Sequence, residues 1–244
     1  MIKFDILTIF PEIFNALDES ILKKAQEQEL INIEVTNIRD YSLDKHCNVD
    51  DYPYGGGAGM VMKPGPIFRA VEAVQTDKAK VLFMSPQGKT FDQEMAKKLA
   101  TKEHLIILCG RYEGIDERIR QELIDEEVSI GDYVLTGGEF PAMVLVDAIA
   151  RMVPSVLGTK ASAIEDSFYN GILDYPHYTR PSVFRSLEVP KVLLSGNHQK
   201  IAQWRKKKSL KRTLLRRPDL FKNVELTEGE RSILNELKDE LEIE

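Results

Sequence analysis

Residues 104–119, HLIILCGRYEGIDERI, and 129–142, SIGDYVLTGGEFPA, decide the reading of this chain. Leu105, Ile106, Ile107 and Leu108 form an unbroken apolar run that ends at Gly110 and Gly114, and a shorter run ending at Ile130 gives way to Gly131, Gly137 and Gly138. An apolar run that stops at glycine reads as a strand of a parallel sheet whose end opens into a glycine loop. In such sheets the ligand crevice lies beyond the carboxyl ends of the strands, where glycine lets main chain approach a ligand or take positive φ. Both loops are therefore expected to line one pocket. Between the glycines stand Arg111, Tyr112, Glu113, Asp132, Tyr133, Thr136 and Glu139, groups of the kinds that hold an adenosine, a ribose or an amino-acid moiety. Neither loop is a phosphate cradle: the chain has no G-x-x-x-x-G-K-[ST], and no G-x-G-x-x-G follows a strand. Glycines after strands also simply turn the chain, but two polar glycine loops close together favour the pocket.

Outward from this centre, strands and helices alternate. Ile2, Phe4 and Ile6 alternate with Lys3 and Asp5, and Ile31, Ile33 and Val35 repeat the pattern. Between them Pro11 opens an expected helix with Phe14, Leu17, Ile21 and Ala25 on one face. A helix over residues 67–74 precedes a strand over 81–84, which ends in Ser85, Pro86, Gln87 and Gly88, a third loop at a strand end. A helix over 92–100 leads into the central stretch. After Pro141 comes an almost wholly apolar helix over 142–149, closed by Arg151, a cation placed well for the helix dipole. This alternation predicts a parallel α/β domain over residues 1–155.

Residues 39–66 show little periodicity and contain YGGGAGM, with Asp50, Asp51, Tyr52 and Tyr54 beside Gly55, Gly56, Gly57 and Gly59. Loops longer than about 12–15 residues without structure are uncommon unless functional or disordered. Its glycines and tyrosines make this one a candidate for contact with an extended or flipped substrate. The small, polar residues 156–171 read as a linker carrying Asp166, and residues 172–244 as a smaller, mainly helical domain. There Thr227 and Glu230 are spaced as a capping box, and Ile233, Leu237 and Leu241 share a face.

With 244 residues, 43% hydrophobic and 30% charged, the chain has the composition of a soluble globular protein. No apolar run approaches the roughly 20 residues that span a bilayer, and the first residues carry no signal-peptide pattern, so a cytoplasmic, membrane-free protein is expected. Cys47 and Cys109 form neither a C-x-x-C nor a disulfide framework. The net charge of −6 is unevenly spread: Lys200, Arg205, Lys206, Lys207, Lys208, Lys211, Arg212, Arg216 and Arg217 occur without an acid among them, before an acidic tail. Clustered positive charge of this kind is what binds nucleic-acid phosphates. Trp204 lies at helical spacing from Ile201, Leu210 and Leu214, which predicts a core residue.

The motifs YGGGAGMVMKPGP, LCGRYEGIDERI, SIGDYVLTGGE, EDSF, LDYPHYTRP and VLLSGNH, followed by a basic helix, resemble the bacterial tRNA (guanine-N1)-methyltransferases of the SPOUT class, in order and over nearly the whole chain. The resemblance implies a homodimer whose α/β domain, a parallel sheet with helices on both faces, holds a deep trefoil knot, a feature no periodicity reveals. It implies an enzyme that methylates N1 of guanine at position 37, next to the anticodon, and that acts on tRNA and not on DNA. The donor implied is S-adenosylmethionine, held by Ser85, Pro86 and Gln87, by Gly110, Tyr112, Glu113 and Gly114, and by Ile130, Gly131, Asp132, Tyr133, Val134, Leu135, Gly137 and Gly138.

Guanine N1 carries a proton at neutral pH, so alkylation there needs a base. The resemblance gives that role to Asp166, which by position alone reads as a cap or linker carboxylate. With a reference pKa of about 3.9, such a base is weak unless it is desolvated or the nucleobase is acidified. Arg151 supplies the second route, a guanidinium near guanine O6 as negative charge develops. The family's Mg2+ is tied to Glu113, through the cofactor carboxylate or water, or else Glu113 makes an ordinary hydrogen bond. For tRNA the implied contacts are Asp50, Gly55, Gly56, Gly57 and Gly59, then His177 and Arg180, then Lys206, Lys207 and Lys208. The target nucleotide must leave its stack to reach such a site. A SPOUT methyltransferase for another RNA nucleoside and a non-catalytic RNA-binding factor are the alternatives; Asp166 together with Arg151 argues against the second.

Overall fold

The structure is a computed structural model that describes residues 1–158 and 164–242. The chain divides into two compact units, Met1–Lys160 and Ala161–Glu244. In the first unit the strands are β1 (Ile2–Thr8), β2 (Ile31–Asn37), β3 (Asp50–Asp51), β4 (Val61–Met62), β5 (Ala79–Thr90), β6 (His104–Cys109) and β7 (Glu126–Ser129). The helices are α1 (Ser20–Glu27), α2 (Pro64–Val74), α3 (Gln93–Leu99), α4 (Glu117–Leu123) and α5 (Glu139–Ala150). Five strands make one parallel sheet in the order β2-β1-β6-β5-β7.

The apolar run of β6 is buried from end to end because both faces of the sheet are covered. Successive side chains point to opposite faces. Leu105, Ile107 and Cys109 accordingly pack with Ala142, Leu145, Val146 and Ile149 of α5, while Ile106 and Leu108 pack with Ile67, Ala70 and Val71 of α2 and Ile119 of α4. The chain leaves β5 for β6 on one side and, after β6, crosses to place β7 on the other side of β5. This reversal is a topological switch point, where open α/β sheets leave a crevice.

Three sequence expectations shift. The segment from Pro11 is a 3-10 helix (Pro11–Asp18) and then α1, broken by extended Glu19 and by Ser20 at φ 54°. Three residues per turn bring Phe14 and Leu17 onto one face, and the break resets it, so Leu22 is buried and Ile21 is exposed. Strand β5 continues past Met84 to Thr90: its pairing with β7 stops at Met84↔Val128 and resumes at Lys89↔Val128, so residues 85–88 loop out. A Cβ at Gly88 would stand 2.4 Å from the Glu127 carbonyl carbon, which explains glycine at the base of that loop. The aperiodic stretch is also more ordered than expected. β3 and β4 pair antiparallel (Asp50↔Met62, Asp51↔Val61), and residues 52–60 form the tip between them.

The second unit holds β8 (Val183–Phe184), β9 (Leu187–Glu188), α6 (His198–Arg216) and α7 (Glu228–Leu241). Leu210 and Leu214 of α6 bury against Leu237, with Ile172, Phe221, Ile233 and Leu241 around them. The capping box forms as read, with the Thr227 side chain accepting from Glu230 N–H and the Glu230 carboxylate accepting from Thr227 N–H. Of the stretch read as a linker, residues 159–163 lie outside the described residues.

Candidate functional site

Beyond the carboxyl ends of β5, β6 and β7 lies a cavity of about 350 Å³. Its walls are the three loops that the sequence brought forward: Ser85, Pro86 and Gln87; Gly110, Tyr112, Glu113 and Gly114; and Ile130, Gly131, Tyr133, Val134, Leu135, Gly137 and Gly138. Volumes of this order hold small cofactors.

Glycine is required where the loops meet. Gly138 N–H donates to Gly110 O at 2.9 Å, and a Cβ on Gly138 would sit 2.8 Å from Cys109 Cα and 2.9 Å from Gly110 N. The backbones touch with no room for a side chain. Gly114 and Gly131 take φ of 128° and 144°, and Tyr112 is held in the left-handed region at φ 60° with its ring half exposed. Replacing Gly138 by alanine is expected to push the two loops apart and to weaken binding of the S-adenosylmethionine that the sequence resemblance implies by about tenfold, on the scale of one strained backbone contact. Isothermal titration calorimetry on the variant measures this, and an unchanged dissociation constant would count against the close approach.

Two expected lining groups are placed elsewhere. Asp132 is exposed and outside the cavity, because Tyr133 N–H donates back to Gly131 O at 2.9 Å and the tight turn leaves the residue between them on the outer side. Glu139 is fully buried beneath the loops. One of its oxygens accepts from Thr8 Oγ1 at 2.9 Å at the end of β1, and the other from Arg111 Nε at 2.9 Å. Arg111 also donates to Thr136 O at 3.0 Å, and its guanidinium stacks 4.6 Å over the Phe10 ring. The pair clasps the loop after β6 to the loop after β7. Sequence reasoning placed these residues near the pocket and missed the clasp; the only local signal was an acid at the first turn of an apolar helix.

Arg120, Ser129 and Phe83 also line the cavity. Arg120 stacks over Phe83 at 4.8 Å and pairs with Glu127, which in turn accepts from Gln87 Nε2 at 3.2 Å. Burial pushes the Glu127 carboxyl up, but its partners Arg120, Ser85 and Gln87 outweigh that and hold it below the usual range. Cys109, close to Glu139, is fully buried, and burial raises its thiol well above the ordinary value, so it is inert packing and not a nucleophile.

Glu113 is exposed, and its N–H donates to Met60 O at 3.0 Å. A Cβ on Gly59 would meet Glu113 Oε1 at 2.5 Å, so the carboxylate lies against the glycine-rich tip. Met62 N–H donates to Gly114 O at 2.9 Å, which ties the foot of that tip to the pocket loop. Gly55, Gly56, Gly57 and Gly59 all have positive φ, and Tyr52 and Tyr54 project into solvent. Asp50 is half buried in β3. Among the described residues no three His, Cys, Asp or Glu side chains gather as a metal cluster. A lone carboxylate matches only a Mg2+ that keeps most of its water.

Arg151 caps α5 in the first unit, its N–H donating to Asp147 O at 3.1 Å. Asp166 lies in a turn of the second unit, where its carbonyl accepts from Tyr169 N–H at 3.3 Å. In that unit His177 Nε2 is 2.6 Å from Asp174 Oδ2, and Arg180 is exposed. Lys206 and Lys207 form ion pairs with Glu230 and Glu240 of α7, at 2.6 and 2.7 Å, whereas Lys208 lies 5.7 Å from the Trp204 ring. Trp204 itself is half buried and stands outside the leucine core that its spacing predicted.

A family model described as tRNA (Guanine-1)-methyltransferase TrmD matches residues 2–223. The curated tRNA (guanine-N(1)-)-methyltransferase of Dictyoglomus turgidum is 55% identical over 242 residues, covering 99% of this chain and 98% of the relative. That of Carboxydothermus hydrogenoformans is 59% identical over 233 residues, 95% and 92% of the two chains. That of Bacillus subtilis is 54% identical over 242 residues, 98% and 100%.

Proposed function

The chain belongs to the tRNA (guanine-1)-methyltransferase family, and from that premise we propose that it methylates N1 of the guanine at position 37, next to the anticodon, in tRNA. The donor is S-adenosylmethionine, which when bound supplies an electrophilic methyl group. The observation that carries the reading is the cavity walled by three glycine-bearing loops, whose bare main chain suits an adenosine that is recognised by backbone groups.

In this reading the chain's residues divide the work between its two units. Gly110, Gly138 and the loop of residues 85–88 bring main-chain groups close to the cofactor, and the Arg111–Glu139 clasp fixes the gap between loops. Asp166 takes the N1 proton of guanine as the methyl arrives, which leaves the ring neutral after transfer. Arg151 places a guanidinium at guanine O6, where charge accumulates as the proton departs. Among the described residues Glu113 is the one pocket-lining carboxylate available to a water-rich Mg2+, and no step is routed through that ion.

The reading extends to assembly and fold. Phe140 and Val144, one turn apart on α5, and Val134 on the adjoining loop are exposed, which supports a homodimer in which a second copy covers them. The crossing from β6 to β7 over β5, clasped at Arg111, supports the trefoil knot. No helix among the described residues is long and apolar enough to cross a membrane, and a tRNA substrate supports a cytoplasmic location.

The test is methyl transfer from labelled S-adenosylmethionine to an unmodified tRNA transcript. Guanine beside the anticodon is expected to accept the label, while the same transcript with adenine there is expected to stay unlabelled. Equal labelling of both would move the activity to another nucleoside.

A further inference from the structure

We infer that Tyr178 and Trp204 form a preformed seat for one unpaired nucleobase of the RNA substrate, bordered by lysines that hold the adjoining phosphates. The inference rests on tRNA being the substrate and adds to it a recognition point in the second unit.

Helix α6 carries no acidic side chain, yet its cations are not equivalent. Lys206 and Lys207 face α7 and are neutralised by Glu230 and Glu240. Arg205 is engaged with Glu165 at 3.7 Å and lies over the Tyr175 ring at 4.7 Å, and Arg212 donates to Asp174 O at 2.9 Å. These four cations hold the unit together. Lys200, Lys208 and Lys211 make no ion pair among the described residues, although Lys208 and Lys211 stand close enough to Glu240 to help Lys207 lower its pKa, and the three lie four before, four after and seven after Trp204. Residues at such spacings share one stripe of a helix. Lys200, and Lys208 and Lys211 with only the longer-range influence of Glu240, therefore place cations along the stripe that Trp204 interrupts.

The aromatic partner arrives from the chain segment laid across the helix. Tyr178 is half exposed, and its ring centroid lies 6.3 Å from that of Trp204 with the planes tilted by 56°. The segment is pinned just upstream by Arg212 on Asp174 and by Arg205 on Tyr175. The Tyr175 hydroxyl is pushed up to about 12 by burial and by its hydrogen bond to Glu165, so it stays a donor. Tyr178 is thus presented from a fixed support, and ordering it costs little on binding. Lys208 Nζ lies over the indole ring, 5.7 Å from its centroid, and adds a cation to the same aromatic surface. Aromatic faces flanked by lysines along a backbone track are how single-stranded nucleic acid is held: the base stacks and the cations meet phosphate. Double-stranded RNA offers no free base face, so the occupant is a base from a loop.

The chain contains one tryptophan, so its fluorescence reports this site alone. Titrating full-length protein with unmodified tRNA is expected to quench tryptophan emission, with a midpoint equal to the dissociation constant from filter binding. Trp204→Ala is expected to raise KM for tRNA by about tenfold or more, the cost of one lost stack, with KM for S-adenosylmethionine unchanged and Trp204→Phe close to wild type. Tyr178→Ala, which keeps the reporter, should diminish the quench. The inference is overturned if tRNA binds and is methylated while emission is constant and Trp204→Ala keeps the wild-type KM. Absence of tRNA binding or methylation by the unaltered protein would instead remove the functional reading itself.

Discussion

Asp166→Asn is expected to lower kcat for methyl transfer by about 10²–10⁴-fold, the usual contribution of a positioned general base. Asparagine is nearly isosteric with aspartate and caps helices and turns as well, so a merely structural carboxylate would survive the exchange. What asparagine cannot do is accept a proton. A guanine that keeps its N1 proton has no lone pair to offer the methyl group, and binding by the other residues does not change that. The three loops that wall the cavity lie in the first unit and Asp166 in the second, so the affinity for S-adenosylmethionine should hold within about twofold. A loss of kcat at constant cofactor binding is the signature of a group used only in the transition state. Single-turnover methylation beside calorimetric titration separates the two quantities; a variant with full single-turnover rate would remove Asp166 from the chemistry.

Much of the first unit was legible in the sequence because its determinants are local or periodic. The run from Leu105 to Leu108 announced a strand, and the glycines that follow it announced loops at a sheet edge. The capping box at Thr227 and Glu230 was legible for the same reason: it spans a single turn. What stayed hidden depends on pairs distant in sequence. Arg111 and Glu139 are 28 residues apart, and nothing around Glu139 distinguishes a buried carboxylate from one at an exposed helix start. The lysines show the same limit. Residues 206–208 are identical side chains in a row, and only the acidic face of α7 decides which of them are already paired. Trp204 follows the apolar spacing of its helix but lies beyond the leucines that Leu237 covers, so period alone assigned it to a core that ends before reaching it. The kinked 3-10 entry at Pro11 was missed because Phe14, Leu17 and Ala25 fit an uninterrupted α-helix equally well.

Glu139→Ala carries the largest expected cost in stability. The carboxylate is fully buried, and its loss leaves the Arg111 guanidinium, largely buried itself, with the Thr136 carbonyl as its remaining hydrogen-bond acceptor in the clasp. Removing one partner of a buried ion pair costs about 3–5 kcal/mol, because the other charge is stranded. For a unit of this size that corresponds to a fall in Tm of about 6–20 °C. Stability and function should then separate. Replacing both partners, Arg111→Met with Glu139→Leu, removes the stranded charge and is expected to restore most of the lost Tm, since apolar substitutes for buried ion pairs are often neutral or better. It cannot restore the bond from Arg111 to Thr136 O or the link from Glu139 to Thr8, so the loops after β6 and β7 lose their fixed spacing. The double variant is therefore expected to melt near the wild type while binding S-adenosylmethionine about tenfold or more weakly, as sites do when their supporting contacts are lost. Calorimetric melting and cofactor titration on the two variants decide the matter. If the double variant recovers both, the pair is packing alone; if Glu139→Ala melts with the wild type, the pair contributes nothing measurable to stability.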